Sequence, residues 1–281
     1  MRVRLWHVVC VAAASGAATD GARAQEAMYT EAATMPSPGT FVLRQQFHVF
    51  RFGMNGDAGI SETTQYEAMT TVDYGLVRDV SLRLDVPLVY RDEDLVGGGS
   101  DSDRGVEDLD LMVKYRFYKS DTGGVNTVRA AVFGGFAFAS GDDHDFSSQT
   151  VNPQFGAVVT MVQGRHGFNQ ELSVRINTGG DDEHNFGGDG RSDAIFHNTA
   201  YLYRLAPARY TKETVGAWYG TAEAVGIYET NGDYELRGSL GVMYEGRTWG
   251  FEAMVLLPLY EALDDRAELD WGVGFGFRFA F

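Results

Sequence analysis

Four charged residues stand on one parity within a short run: Asp108, Asp110, Lys114 and Arg116, separated by Leu109, Leu111, Val113 and Tyr115. Acids and bases interleaved this way can form ion pairs, or a charged constriction that sorts solutes. The same parity recurs in Arg83 with Asp85, Glu171 with Arg175, Glu235 with Arg237, and in Glu252 and Arg278. These twelve positions are the candidate pore-lining residues, and Asp108, Asp110, Lys114 and Arg116 are the first to mutate. Arg44, Glu67, Asp73, Arg129, Arg204 and Glu223 extend the set. For each, the competing role is structural: an Arg–carboxylate pair that braces a wall. A hydrolase would draw on His144-Asp145 with Ser147 and Ser148, or on His197-Asn198. Neighbours on a strand point to opposite faces, so His197 and Asn198 would not cooperate directly. No catalytic residue is assigned. No phosphate loop or zinc-type His spacing is present, and no cofactor or metal is expected.

The elements that carry these charges alternate with period two. Leu269, Trp271, Val273, Phe275, Phe277, Phe279 and Phe281 occupy one parity; Asp270, Gly272, Gly274, Gly276, Arg278 and Ala280 occupy the other. That is a strand with one apolar and one small or charged face. Val80 to Tyr90, Leu109 to Phe117, Phe168 to Ile176 and Trp249 to Leu259 repeat the pattern. A charge facing lipid costs about 2–4 kcal/mol at mid-membrane, so sorting charges onto one face is the mark of a transmembrane β-barrel. About twelve strands are expected, roughly 40–52, 63–77, 80–91, 105–118, 125–139, 151–163, 167–178, 193–205, 214–229, 233–245, 247–260 and 267–281; ten or fourteen remain open. The fold class is all-β, an antiparallel up-and-down barrel over 40–281. Short connectors alternate with longer, acidic ones at 53–62, 92–104, 140–150, 179–192 and 261–266, as periplasmic turns alternate with outer loops. Asp92-Glu93-Asp94, Asp142-Asp143-His144-Asp145 and Asp181-Asp182-Glu183-His184 could hold divalent cations but lack the spacing of a calcium loop.

The 281 residues carry a formal net charge of −16, which argues against a phosphate-backbone partner: no nucleic acid is expected. Hydrophobic residues make up 44%, too many for a disordered acidic chain. Arg2 and Arg4, the apolar run Leu5 to Ala18 and Ala22-Arg23-Ala24 read as a signal peptide cleaved after Ala24. Cys10 lies within it, so the mature chain has no thiol chemistry. Residues 25–39 are expected to be a flexible periplasmic lead-in, with folding back into the lumen as the alternative. Trp218, Trp249 and Trp271, with tyrosines such as Tyr66, Tyr90 and Tyr244, fit interfacial girdles.

Thr70-Thr71-Val72-Asp73-Tyr74-Gly75-Leu76 followed by Val80 to Pro87, Gly105 to Phe117, and Gly134 to Asp142 carry a family resemblance. In these stretches the chain resembles the outer-membrane proteins named for the MetA pathway of phenol degradation, a group of transporters. The resemblance implies a pore or carrier for small molecules, aromatic or apolar ones among them. It supplies no binding residues. The expected function is passive passage across the bacterial outer membrane, without catalysis. The expected partners are outer-membrane lipid and lipopolysaccharide, and the assembly machinery reading Phe281; the expected state is a monomer. The alternatives are a structural or adhesive barrel with cation-binding outer loops, and a rim hydrolase.

Overall fold

The computed structural model describes residues 26–54, 59–142, 146–179, 192–264 and 266–281. The expected signal peptide, Asp143-His144-Asp145 and residues 181–184 lie outside them. The strands are β1 (Phe41–Phe52), β2 (Ile60–Val77), β3 (Val80–Leu95), β4 (Ser100–Val106), β5 (Leu109–Thr122), β6 (Asn126–Phe138), β7 (Asn152–Gln163), β8 (His166–Arg175), β9 (Ala194–Ala206), β10 (Gly216–Glu229), β11 (Tyr234–Gly246), β12 (Trp249–Ala262) and β13 (Leu269–Ala280). Every neighbouring pair is antiparallel. β4 and β5 both pair with β3 and share one place in the wall, so the barrel has 12 strands around its circumference. β1 pairs with β2 on one side and β13 on the other, which closes the ring. At the seam the Phe41 amide donates to the Phe281 carbonyl (3.3 Å) and the Phe281 amide to the Phe41 carbonyl (2.9 Å). Closure pairs every strand but β4 on both sides, the condition for spanning hydrocarbon with strands.

The parity expected from the sequence decides which face meets lipid. On β13, Val273, Phe275, Phe277 and Phe279 are exposed, while Gly272, Gly274 and Gly276 are buried inside. Those glycines leave room for large neighbours: a Cβ on Gly274 would lie 2.6 Å from the His48 ring, and one on Gly276 2.6 Å from the Glu252 carboxylate. Outward aromatics cluster at both ends of the wall. Trp218, Tyr244 and Trp249 pack in series, with ring centroids 5.1 and 4.8 Å apart. Toward the other end, Tyr66 meets Tyr90 and Tyr234 meets Tyr260, each at 5.8 Å. Both termini of the barrel wall lie at the end that carries the tight turns at 78–79, 123–125, 164–165 and 247–248.

Two local expectations are corrected. The loop expected at 92–104 is a hairpin: β3 runs to Leu95 and pairs with β4 in register from Leu88↔Val106 to Asp94↔Ser100. Its turn, Val96 to Gly99, contains three glycines with positive φ (Gly97, Gly98, Gly99), a conformation glycine adopts without steric cost. Leu269, expected on the lipid face, is buried inside. The register against β1 shifts between Arg51 and Phe52, so Arg51 faces Trp271 but Phe52 faces Leu269. One extra residue in the strand reverses the parity beyond it.

Candidate functional site: the occupied lumen

The charged inner wall does not enclose empty space. Residues 26–36 run back into the barrel; Ala27, Met28, Thr30, Ala32 and Ala33 are buried there. A turn at the mouth sends the chain inward. The Thr40 amide and hydroxyl donate to the Ser37 carbonyl (3.0 and 2.7 Å), and the Gly39 amide donates to the Gly75 carbonyl (2.7 Å). Gly39 has φ +78°, and Gly75 lies so close that an added Cβ would stand 2.2 Å from the Ser37 carbonyl oxygen.

Inside, the segment has no sheet or helix to satisfy its backbone, so side chains of the wall must do it. The Glu223 carboxylate on β10 accepts from the amides of Met28 (3.0 Å), Tyr29 (3.1 Å) and Thr30 (2.9 Å) and from the Thr30 hydroxyl (2.8 Å). Glu171 on β8 accepts from the Glu31 amide (3.0 Å) while also held by Asn198 and Ser173. The Thr160 hydroxyl accepts from the Ala33 amide (2.8 Å) and donates to Asn169 (2.7 Å). Donors serve the carbonyls: Arg44 reaches Ala27 (2.7 Å), Gln46 reaches Met28 (3.2 Å) and Lys114 reaches Ala32 (3.1 Å).

The segment's own carboxylates face the opposite wall. Glu26 pairs with Arg83 (3.3 Å) and Arg278 (3.2 Å), and Glu31 pairs with Arg83 and Lys114. Arg83 is further held by Asp73 (2.9 and 3.0 Å). Arg44 grips Glu252 with two bonds of 2.8 Å. Charge-assisted forks of this kind are the strong hydrogen bonds of protein interiors. Apolar contacts complete the seat. Met28 joins Phe50, Met254, Leu256 and Leu269, and Ala27 packs with Leu202, Tyr219 and Met243. Tyr29 stacks on His48 (5.6 Å), which stacks on Phe50 (5.4 Å). Beside the segment a polar cavity of about 180 Å³ remains, lined among others by Arg44, Thr71, Arg83, Asp85 and Asp110.

The twelve candidate residues divide into groups. Arg83, Lys114, Glu171, Glu252 and Arg278 gather around the segment. Asp85 and Asp110 are cross-strand partners at the cavity, where Arg175 pairs with Asp110 (2.7 Å). Arg116 turns to Asp79 (2.8 Å) at the tight-turn end. Glu235 and Arg237 lie at the other end with Arg266 and Glu229. Asp108 serves a loop: its carboxylate accepts from the amides of Ser140, Gly141 and Ser148 and the Ser148 hydroxyl. Burial opposes ionisation of Asp108, yet these bonds hold its carboxyl below the usual aspartate range. Asp108, Asp110, Lys114 and Arg116 thus form no single constriction. Sequence reasoning missed Glu26 and Glu31; the only signal was two acids in a stretch otherwise without charge. His197 stacks on Tyr234 (5.7 Å), while Asn198 on the inner face donates to Glu171. Among the described residues no group of three or more His, Asp or Glu is arranged to hold a metal ion.

No family model matches the sequence, and no curated protein matches it. Solved structures resemble the fold. An outer-membrane channel from Pseudomonas putida F1 superimposes with a TM-score of 0.57 at 12% identity, covering 89% of this chain and 97% of that one. The β domain of the Bordetella autotransporter BrkA gives 0.51 at 12% identity, covering 86% and 100%. With the closed ring and the apolar exterior, these place the chain among the β-barrels of the Gram-negative outer membrane.

Proposed function

We propose that this barrel is an outer-membrane channel for passive passage of small molecules, aromatic and apolar ones included, whose bore is set by residues 26–36. The observation that carries this reading is the polar cavity beside the segment, on a wall whose inward charges are mixed in sign. Twelve strands enclose more than the side-chain-filled interior of an eight-stranded barrel and less than the water channel of a porin. The segment is one strand thick and fills part of that space. The family resemblance of the β2–β6 region supports small aromatic or apolar permeants. No catalytic step is needed. Signal-peptide cleavage after Ala24 would leave the segment at the start of the mature chain, free to thread the lumen.

Liposome swelling with purified full-length protein tests the reading. Neutral solutes should enter at rates that fall steeply with size. No swelling with any solute would instead favour a closed structural barrel, which the dense ligation of the segment would also suit.

A further inference from the structure

The segment's partners differ by wall. Arg83, Lys114 and Arg278 stand on β3, β5 and β13, and Glu171 and Glu223 stand on β8 and β10, the far side of the ring, while Arg175 on β8 is taken up by Asp110 on β5. The cationic side also holds Asp73, Asp85 and Glu252. Asp73 takes Arg83, Thr71 donates to Asp85, and Glu252 takes Arg44. Three cations nonetheless direct bonds inward to carboxylates the wall does not supply. Two carboxylates opposite direct their acceptors inward to N–H donors. Glu31 alone bridges both sides: its side chain meets Arg83 and Lys114, and its amide donates to Glu171 at 3.0 Å.

We propose that this level of the lumen is a recognition site for small zwitterions, and that residues 26–31 hold it as a tethered mimic of the permeant. The proposal rests on the channel reading and narrows it at the constriction. A solute with a carboxylate at one end and an ammonium at the other repeats what Glu31 does. The atoms from the Glu31 amide nitrogen to its side-chain carboxylate are those of 4-aminobutyrate, which sets the size of the solute. Its carboxylate would take Arg83 and Lys114, and its ammonium would take Glu171. Both ends count, since an ammonium alone leaves Lys114 without a carboxylate and a carboxylate alone leaves Glu171 without the N–H donor that Glu31 gives it. Opposite charges facing each other across a narrow, low-dielectric passage orient such a dipole.

The test uses full-length protein in liposomes and four solutes of one carbon-chain length: 4-aminobutyrate, butyrate, butylamine and the neutral butanamide. The wild-type chain should admit 4-aminobutyrate several-fold faster than either singly charged solute. Glu31→Gln, which weakens the mimic, should speed its entry further. In that background Lys114→Met should cancel the preference, read as the ratio of 4-aminobutyrate entry to butylamine entry in the same protein. Entry of butanamide with no preference for the zwitterion would overturn the site and leave the channel standing. No entry of any solute would overturn both. The wild-type comparison needs no variant to fold.

Discussion

Glu223→Gln isolates the grip of the wall on the N-terminal segment. The wild-type carboxylate offers two oxygens to four donors: one oxygen takes the Met28 amide, the other takes Tyr29, Thr30 and the Thr30 hydroxyl. Gln keeps the shape and one acceptor. In its better orientation the amide oxygen keeps the three-donor side, and an NH₂ group faces the Met28 amide. One buried donor then loses its charged acceptor, a loss of about 1.5–3 kcal/mol. At 1.4 kcal/mol per factor of ten, the released population should rise about 10- to 150-fold. A glutamate-specific protease reads that population. Glu26 and Glu31 are its sites in the segment, and both are held against the wall when the segment is seated. Where reseating is faster than cleavage, the cutting rate follows the open fraction. Cleavage after Glu31, followed by mass spectrometry on folded protein, should accelerate by that factor in Glu223→Gln. An unchanged rate in a barrel that still migrates as folded would refute the claim that Glu223 seats the segment.

Other outcomes follow from the same contacts. Arg44→Met strips the buried Glu252 carboxylate of its close cation, leaving Arg278 at 3.7 Å and the Gln46 amide at 3.3 Å, and should lower unfolding stability in urea by about 3 kcal/mol; Glu252→Gln added to it should recover much of the loss. Gly75→Ala drives a Cβ into the Ser37 carbonyl; it should displace the turn at 37–40 and speed cleavage after Glu31 while the strand content by circular dichroism is retained. The Asp108 carboxyl is held below its ordinary 3.8, so its bonds to loop 139–151 stabilise the loop above that value and are lost as pH falls through the lower folded-state value. Exchange protection of the Ser148 amide should fall over that window, and in Asp108→Asn it should be weak at every pH.

The resemblance among outward residues is what the sequence could carry. Phe275, Phe277 and Phe279 had to face lipid because every alternate partner was glycine or Arg278, and a charge in the hydrocarbon is expensive. That parity is local, so the strands and the closed all-β class follow from neighbours in the chain. It fails where one residue is inserted: the alternation of Leu269, Asp270 and Trp271 gives no sign of the shift opposite Arg51–Phe52, and Leu269 went inward. Likewise the acidic stretch at 92–104 reads as loop by composition, yet pairs as β3 with β4 because three glycines make the reversal easy.

Which inner charges act together lay beyond any local signal. Lys114 and Arg116 are two residues apart, yet one meets Glu31 and the other Asp79, because the rise along the strand sets them at different heights in the lumen. Glu223 and Thr30 are separated by 193 residues and joined by a 2.8 Å bond. The sequence by itself determined a barrel wall, its two faces and a polar interior, since each depends only on alternation along a strand. Only the tertiary structure decided that a short stretch with two glutamates and no other charge occupies that interior. Ring closure brings β3, β5 and β13 opposite β8 and β10, and a backbone without partners of its own satisfies both sides at once.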